Sequence, residues 1–383
     1  MPLNTILFLI GISIYSGQVY LVLRVCFKNE ITRCESMCEL FGLSANREVS
    51  INFTWRGFLK RGERNYDGWG VAWYTGDGLC MVKEPRPSTK SPVARLLVDG
   101  IRGSIVISHV RFATHGKVSY VNTHPFAREL YGREWVFAHN GSVKEIMYRD
   151  EFAPRLYTPC GKTDSEYAFC YMMDHLKMMG TAVNSIIMLS KAIWKMANKI
   201  GKYGKFNFLL SNGRFLFAYM NIAGTLHYVV RRPPHSGYVH LVDEDFSIKL
   251  EEIKDPSEIA ALIATKPLTD EKWREFEPNT LYVFEGGELI LKVDSHGNPQ
   301  HTLEKAEVEV VKYVRMASHS VKVSKLSELI GISVDEVSRI VQDLVIRGYL
   351  RQHRDDKVPV RHPDARVFTD PGRREIIDTL LLR

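Results

Sequence analysis

The sequence predicts an α+β fold, antiparallel sheets packed with helices, followed by a small helix-rich domain. Three observations predict it. Runs of alternating apolar residues flank turn signals, as with Phe206, Phe208 and Leu210 before Asn212-Gly213 and Phe215, Phe217 and Tyr219 after it. Two long helical stretches, about 165–179 and 184–200, lie together between blocks of strands, which disfavours repeated βαβ units. Beyond a stretch rich in Ser, Gly, Asn and Pro at 294–300, the apolar spacing turns helical.

Taken in order, 39–44 reads as a short strand, and 51–60 as a helix with Ile51, Trp55, Phe58 and Leu59 at helical spacing. Strands 69–74 and 79–83 flank the hairpin signal Gly76-Asp77-Gly78, and 104–110 and 134–138 precede the helical pair. The Asn212-Gly213 hairpin is expected to be tight, and Gly286-Gly287 joins 282–284 to 289–293. Residues 294–300 read as a linker. Then come a helix at 303–318, a short one at 324–330, a turn at Gly331, and a third helix opened by a Ser333/Glu336 capping box. Val337, Ile340, Val341, Leu344 and Val345 form its buried stripe. A strand from Gly348-Tyr349-Leu350, a charged loop, a return at 366–369 and a last helix capped by Asp370-Pro371 complete an order that resembles a winged helix-turn-helix domain.

The 383 residues carry 51 Lys+Arg against 44 Asp+Glu, a formal charge of +7, with 45% hydrophobic and 25% charged residues. That balance is globular and excludes a mainly disordered, collagen-like or multi-span membrane chain. Its charge is too small and evenly spread to name nucleic acid as the main partner. The six cysteines include no CxxC pair and no His at zinc spacing, so neither a disulfide framework nor structural zinc is expected in what reads as a reduced, cytoplasmic protein. Residues 3–27 are largely apolar, but the best run is only ten residues, short of the roughly 20 a spanning helix needs. Residues 1–37 therefore read as a weak anchor, a removable pro-segment, or translated sequence upstream of the true start. Met37 before Cys38 favours the last, because trimming the methionine leaves Cys38 terminal.

Four stretches are richer in polar groups than a core requires: Cys38-Glu39-Leu40-Phe41-Gly42, the run 108–116 around Arg111, His139-Asn140-Gly141, and Thr163-Asp164-Ser165-Glu166. Each has a plain reading, Asn140-Gly141 as a turn, Asp164 as a helix cap and Arg111 as a surface charge. Jointly they have a chemical one. A terminal cysteine is a nucleophile carrying its own base, since an α-amino group titrates at about 7.7–8.0. The Asn140 amide with the Gly141 N–H suits a tetrahedral oxyanion. Arg111 can grip a carboxylate and Asp164 an ammonium. A carboxylate and an ammonium at one end and an attackable carbonyl at the other describe an amino acid with a side-chain amide.

These stretches, with Asp67-Gly68-Trp69-Gly70 and Asn122-Thr123-His124-Pro125-Phe126, resemble the class II glutamine amidotransferases over about 38–300. The resemblance implies a four-layer αββα N-terminal-nucleophile sandwich. It implies Cys38 as nucleophile, Asn140 and Gly141 as oxyanion hole, Arg111 at the glutamine carboxylate with Thr114 and His115 lining the same pocket, and Asp164 at the α-amino group. The likeness is greatest to the compact stand-alone branch that also includes enzymes cutting γ-glutamyl bonds. No cofactor or metal is implied, and no synthetase or transferase domain follows, so ammonia would pass to a partner or be released.

Three functions stand open. The first is a glutaminase-type amidotransferase working through a Cys38 γ-glutamyl thioester. The second is a γ-glutamyl amide hydrolase. The third is a DNA-binding regulator that senses glutamine, with 304–383 as its winged helix; residues 347–374 hold eight basic against four acidic side chains that could meet phosphates. Protein contact and self-association are alternative uses of that module, and no membrane role is expected.

Overall fold

The computed structural model describes residues 7–15, 18–26, 38–76, 78–113, 116–303, 305–317, 319–353, 358–360 and 362–381. The chain forms two compact units, Met1–Ser36 and Met37–Arg383. In the first, β1 (Leu7–Tyr15) and β2 (Gln18–Cys26) pair antiparallel, with Leu7 opposite Cys26 and Tyr15 opposite Gln18. The apolar run is thus strand backbone. No helix among the described residues is long and apolar enough to cross a membrane.

The second unit begins with β3 (Glu39–Ser50), α1 (Asn52–Lys60), β4 (Gly68–Thr75), β5 (Gly78–Glu84), α2 (Pro92–Leu97) and β6 (Arg102–Arg111). It continues with β7 (Phe126–Leu130), β8 (Arg133–Ser142), α3 (Asp164–Met178), α4 (Ile186–Ile200), β9 (Lys205–Ser211), β10 (Leu216–Met220) and β11 (His227–Arg231). Then come β12 (Tyr238–His240), β13 (Ser247–Lys249), α5 (Leu250–Ile253), β14 (Ala260–Ala264), β15 (Arg274–Glu275), β16 (Thr280–Glu285), β17 (Glu288–Val293) and β18 (Pro299–His301).

Two seven-stranded sheets result, ordered β15-β11-β14-β3-β6-β4-β5 and β18-β17-β16-β10-β9-β8-β7. Side chains alternate across a strand, so each strand feeds two layers. Leu40, Ile105 and Ile107 of the first sheet meet Val136, Ala138, Leu209 and Leu216 of the second. On the reverse faces, Phe41, Val106 and Val110 pack under Trp55 and Phe58 of α1, and Phe137, Phe206 and Phe208 under α3 and α4. Helices cover both outer faces, giving four layers. This double burial explains why the strands are rich in large apolar residues on both alternations. The buried Trp55 indole donates to Ser108 Oγ (3.0 Å), which donates to Gly70 O (2.8 Å), so the layer under α1 carries its polar groups in a satisfied chain.

Two local expectations are corrected. The hairpin at Asn212-Gly213 is not tight: Ser211 pairs with Leu216, leaving a four-residue loop. Asn212 Oδ1 accepts from the backbone N–H of Arg214 (3.2 Å) and Phe215 (3.0 Å), an Asx turn that needs the extra residues. The stretch 294–300 is not a linker. Asp294 closes a turn by accepting from His296 and Asn298 N–H (both 2.9 Å), and β18 returns as an edge strand on β17.

The C-terminal segment contains α6 (Lys305–Met316), β19 (Val321–Lys322), α7 (Val323–Ile330), α8 (Val334–Ile346), β20 (Leu350–Gln352), β21 (Arg366–Thr369) and α9 (Arg374–Leu381). Its sheet has three strands, β19-β21-β20, one more than the expected ribbon. Helix α7 ends at Gly331, whose φ of 77° is left-handed, and Ser333 Oγ caps α8 by accepting from Glu336 N–H (3.2 Å). Val310, Val314, Leu344 and Tyr349 share one continuous core with Leu281, Ile290 and Leu291 of the second large sheet. Nor is the charged ribbon free to meet phosphates throughout: Arg347 and Arg373 are each 7% exposed, Arg347 pairing with Glu307 (2.5 Å) and Asp343 (2.9 Å), Arg373 with Glu285 (3.0 Å). Burial against the large sheet required those pairings.

Leu209 is fully buried between the sheets, and its Cδ1 occupies the space a side chain on Gly42 would need. Leu209→Ala is expected to lower unfolding stability by about 2–5 kcal/mol, read from urea denaturation with an unchanged m-value.

Candidate active site

Strand register builds the site at one end of the sandwich. Glu39 lies opposite Val110, and β6 ends at Arg111, which lies opposite Gly68. Cys38 therefore comes to rest against the chain leaving β6. The Phe112 N–H donates to Cys38 Sγ (3.2 Å) and the thiol donates to Phe112 O (3.1 Å). Asp67 fixes the same turn, its Oδ2 accepting from Ala113 N–H at 2.7 Å.

From the opposite sheet, Asn140 near the end of β8 reaches across. Its Nδ2 donates to Cys38 O and to Thr265 Oγ1 (3.3 Å). Thr265, just past β14, also accepts from Leu40 N–H (2.8 Å) and donates its own N–H to Leu40 O (3.1 Å). One amide thus bridges the strand that carries Cys38 and the strand beside it.

Burial sets the protonation states. It pushes the Cys38 thiol up to about 11, against the opposing pulls of the Phe112 N–H and the Arg111 charge. At neutral pH the group is a thiol and a poor nucleophile without a base. Burial also lowers the Arg111 pKa, while the field of Cys38 and Asp67 favours its charge. His109 and His124 stack with ring centroids 4.2 Å apart, and their ring nitrogens have no hydrogen-bond partner among the described residues. Burial, with the positive charge of Arg111, holds His109 down at about 3 and His124 well below its usual range, so both are neutral. Their neutrality keeps cationic charge out of the layer behind Arg111.

Of the residues singled out from sequence, Cys38, Arg111 and Asn140 converge. Gly141 follows on β8, where a Cβ would fall 1.9 Å from Lys205 O and 2.8 Å from His139 Nε2; only glycine fits the close approach of β9. Asp164 heads α3 at the same end of β8. It accepts from Val143 N–H (2.6 Å) and Ser165 N–H (3.0 Å), while Thr163 is the helix cap, accepting from Glu166 N–H (3.2 Å). His139 joins the two elements through Nδ1 to Ser165 Oγ (2.9 Å). Thr114 and His115 lie outside the described residues. Sequence reasoning missed Thr265 and Lys205. Their signal was faint: a polar residue closing the apolar run 259–264, and a lysine opening β9. Among the described residues, no group of three or more His, Cys, Asp or Glu is placed to hold a metal ion.

The pattern shared by class-II glutamine amidotransferases matches residues 37–308. The chain belongs to that family. This amidotransferase is 36% identical over 358 residues to an uncharacterized protein of Methanocaldococcus jannaschii, covering 90% of this chain and 96% of that one. That likeness necessarily runs past residue 308 into the C-terminal segment. A protein of Escherichia coli K12 named "Putative glutamine amidotransferase YafJ" is 37% identical over 261 residues, 67% of this chain and all of that one. Among solved structures, a "predicted glutamine amidotransferase" from Pseudomonas aeruginosa aligns with a TM-score of 0.50 at 32% identity, over 66% of this chain and 99% of that one.

Because its folded-state pKa is raised, Cys38 in the full-length amidotransferase becomes thiolate only as pH climbs towards about 11. Alkylation of Cys38 by iodoacetamide, followed by peptide mass spectrometry, is expected to be slow at pH 7 and to accelerate about tenfold per pH unit across pH 8–10.

Proposed function

We propose that residues 38–300 hydrolyse the side-chain amide of glutamine through a Cys38 γ-glutamyl thioester. The observation that carries this reading is the Asn140 amide seated on Cys38 across 102 residues of sequence, beside Arg111. With residue 37 removed, the α-amino group of Cys38 takes the thiol proton and Sγ bonds to the amide carbon. The oxyanion draws on Asn140, replacing its longer bond to Thr265, and on the Gly141 N–H. Collapse breaks the C–N bond, the α-ammonium returns its proton, and ammonia leaves. Water then cleaves the thioester, releasing glutamate and restoring the thiol. Arg111 takes the substrate carboxylate, with Thr114 and His115 in the same pocket, and Asp164 takes its ammonium.

A second reading, hydrolysis of a γ-glutamyl amide with a larger leaving amine, has one observation in its favour. A cavity of about 450 Å³ opens at Glu39, next to the nucleophile in sequence; Arg61 there is held by Glu39 and Asp243, leaving Lys60, Arg64 and Lys266 against Glu63. Its cations suit an acidic leaving group.

For residues 304–383 we propose a winged-helix module used for protein contact in a cytoplasmic enzyme. The exposed side chains of α8 include Asp335 and Glu336 against Arg339, and acids on a recognition helix oppose entry into a groove. An ammonia-accepting protein is the partner this reading calls for.

A chain beginning at Cys38 is expected to convert glutamine to glutamate and ammonia, and the same chain with residues 1–37 attached to be inactive. Cys38→Ala should abolish turnover, and Asn140→Ala should lower kcat by about 10²–10³. Turnover by a chain shown by intact mass to retain Met37 would overturn the mechanism. A kcat/KM for an acidic γ-glutamyl peptide well above that for glutamine would favour the second reading.

A further inference from the structure

A cavity of about 780 Å³ lies between the catalytic sheet and the C-terminal module, and none of the candidate catalytic residues lines it. Arg232, at the end of β11, and Lys272 and Arg274, at β15, form one wall. Glu307 of α6, Asp343 of α8 and Arg347 form the other. The volume is that of a ligand pocket for a molecule of nucleotide size.

Its charges are unevenly committed. Arg347 gives Nη1 to both Glu307 (2.5 Å) and Asp343 (2.9 Å), and its buried Nε lies 3.9 Å from Glu288 Oε2. Glu271 is held by Arg231 (2.9 and 2.5 Å) and by Thr269 Oγ1 (2.6 Å). Arg232 is taken by Glu288, which lies behind the wall. Every acid lining the cavity therefore has a cationic partner. Lys272 and Arg274 have no ion pair or side-chain hydrogen bond among the described residues, although both line the cavity. A polar cavity whose acids are all paired and which keeps two uncommitted cations is a site for multiply charged anions.

We propose that this junction binds a phosphate-bearing small molecule of nucleotide size, its phosphates held by Lys272 and Arg274 and facing Arg347. Bound there, the ligand touches both the catalytic sheet and the C-terminal module and so fastens one to the other. The site is independent of the glutamine chemistry, because binding is read without turnover.

The test is isothermal titration of the full chain with inorganic pyrophosphate and with ADP, adenosine serving as the uncharged control. One site per chain for pyrophosphate or ADP, weakened at least about tenfold by Lys272→Ala/Arg274→Ala, is the expected result. ADP binding tighter than pyrophosphate would identify a nucleotide; equal affinities would identify the phosphates alone as the recognised group. Both side chains are exposed, so the double variant should melt as the parent does without ligand. Lys60→Ala/Arg64→Ala, in the other cationic cavity, should leave affinity unchanged. Absence of saturable binding, adenosine binding as tightly as ADP, or equal affinity in the Lys272/Arg274 variant would overturn the proposal.

Discussion

At the end of the sandwich that carries Cys38, the side-chain amide of Asn140 ties the two large sheets together where their shared apolar layer ends. Its partners, Cys38 O and Thr265 Oγ1, belong to adjacent stretches of the opposite sheet. Along the rest of the interface the sheets meet mainly through apolar side chains, which pack without directional preference, with the Tyr74 hydroxyl of β4 reaching across to Glu134 O (2.7 Å) and Ser211 O (3.2 Å). A directional contact at the open end fixes how the β8 terminus stands against β3, and so where the thiol, the amide and the Arg111 charge lie relative to one another. The tight passage of β9 over Gly141 holds that terminus from the other side.

Much of the polar load in this region is carried uncharged. His109 and His124 stay neutral because ionising them would place charge beside Arg111 in a layer shut off from water. The Cys38 thiol stays protonated because burial outweighs the opposing field of Arg111. Burial thus holds the Cys38 thiol in its weakly nucleophilic form.

The C-terminal module is joined to the catalytic sandwich by a shared core and by buried ion pairs of Arg347 with Glu288 (3.9 Å) and Arg373 with Glu285 (3.0 Å). Glu375 adds a further tie, accepting from Ile186 N–H (2.9 Å) at the head of α4. These contacts consume cations that, seen in the sequence alone, formed part of a basic ribbon. The difference bears on function, since a module whose arginines face its own catalytic domain presents less charge to a phosphate backbone.

Sequence determined the local elements wherever a periodic pattern or a capping residue was strong enough to act alone. Trp55 and Phe58 marked α1, Ser333 marked the start of α8, and the Cys38, Arg111 and Asn140 stretches stood out before the fold brought them to one end of the sandwich. It did not reveal β14, whose run Ala260–Ala264 is buried on both faces and so lacks alternation, nor Thr265 beyond it. It misread 294–300 as a linker because turn residues look the same whether the chain that follows departs or pairs back. Which polar groups meet, which arginines are spent inside, and that a cavity opens between sheet and module were decided only by tertiary structure. Each depends on register and on packing between segments from 40 to more than 100 residues apart, and composition and spacing carry no information about such distances.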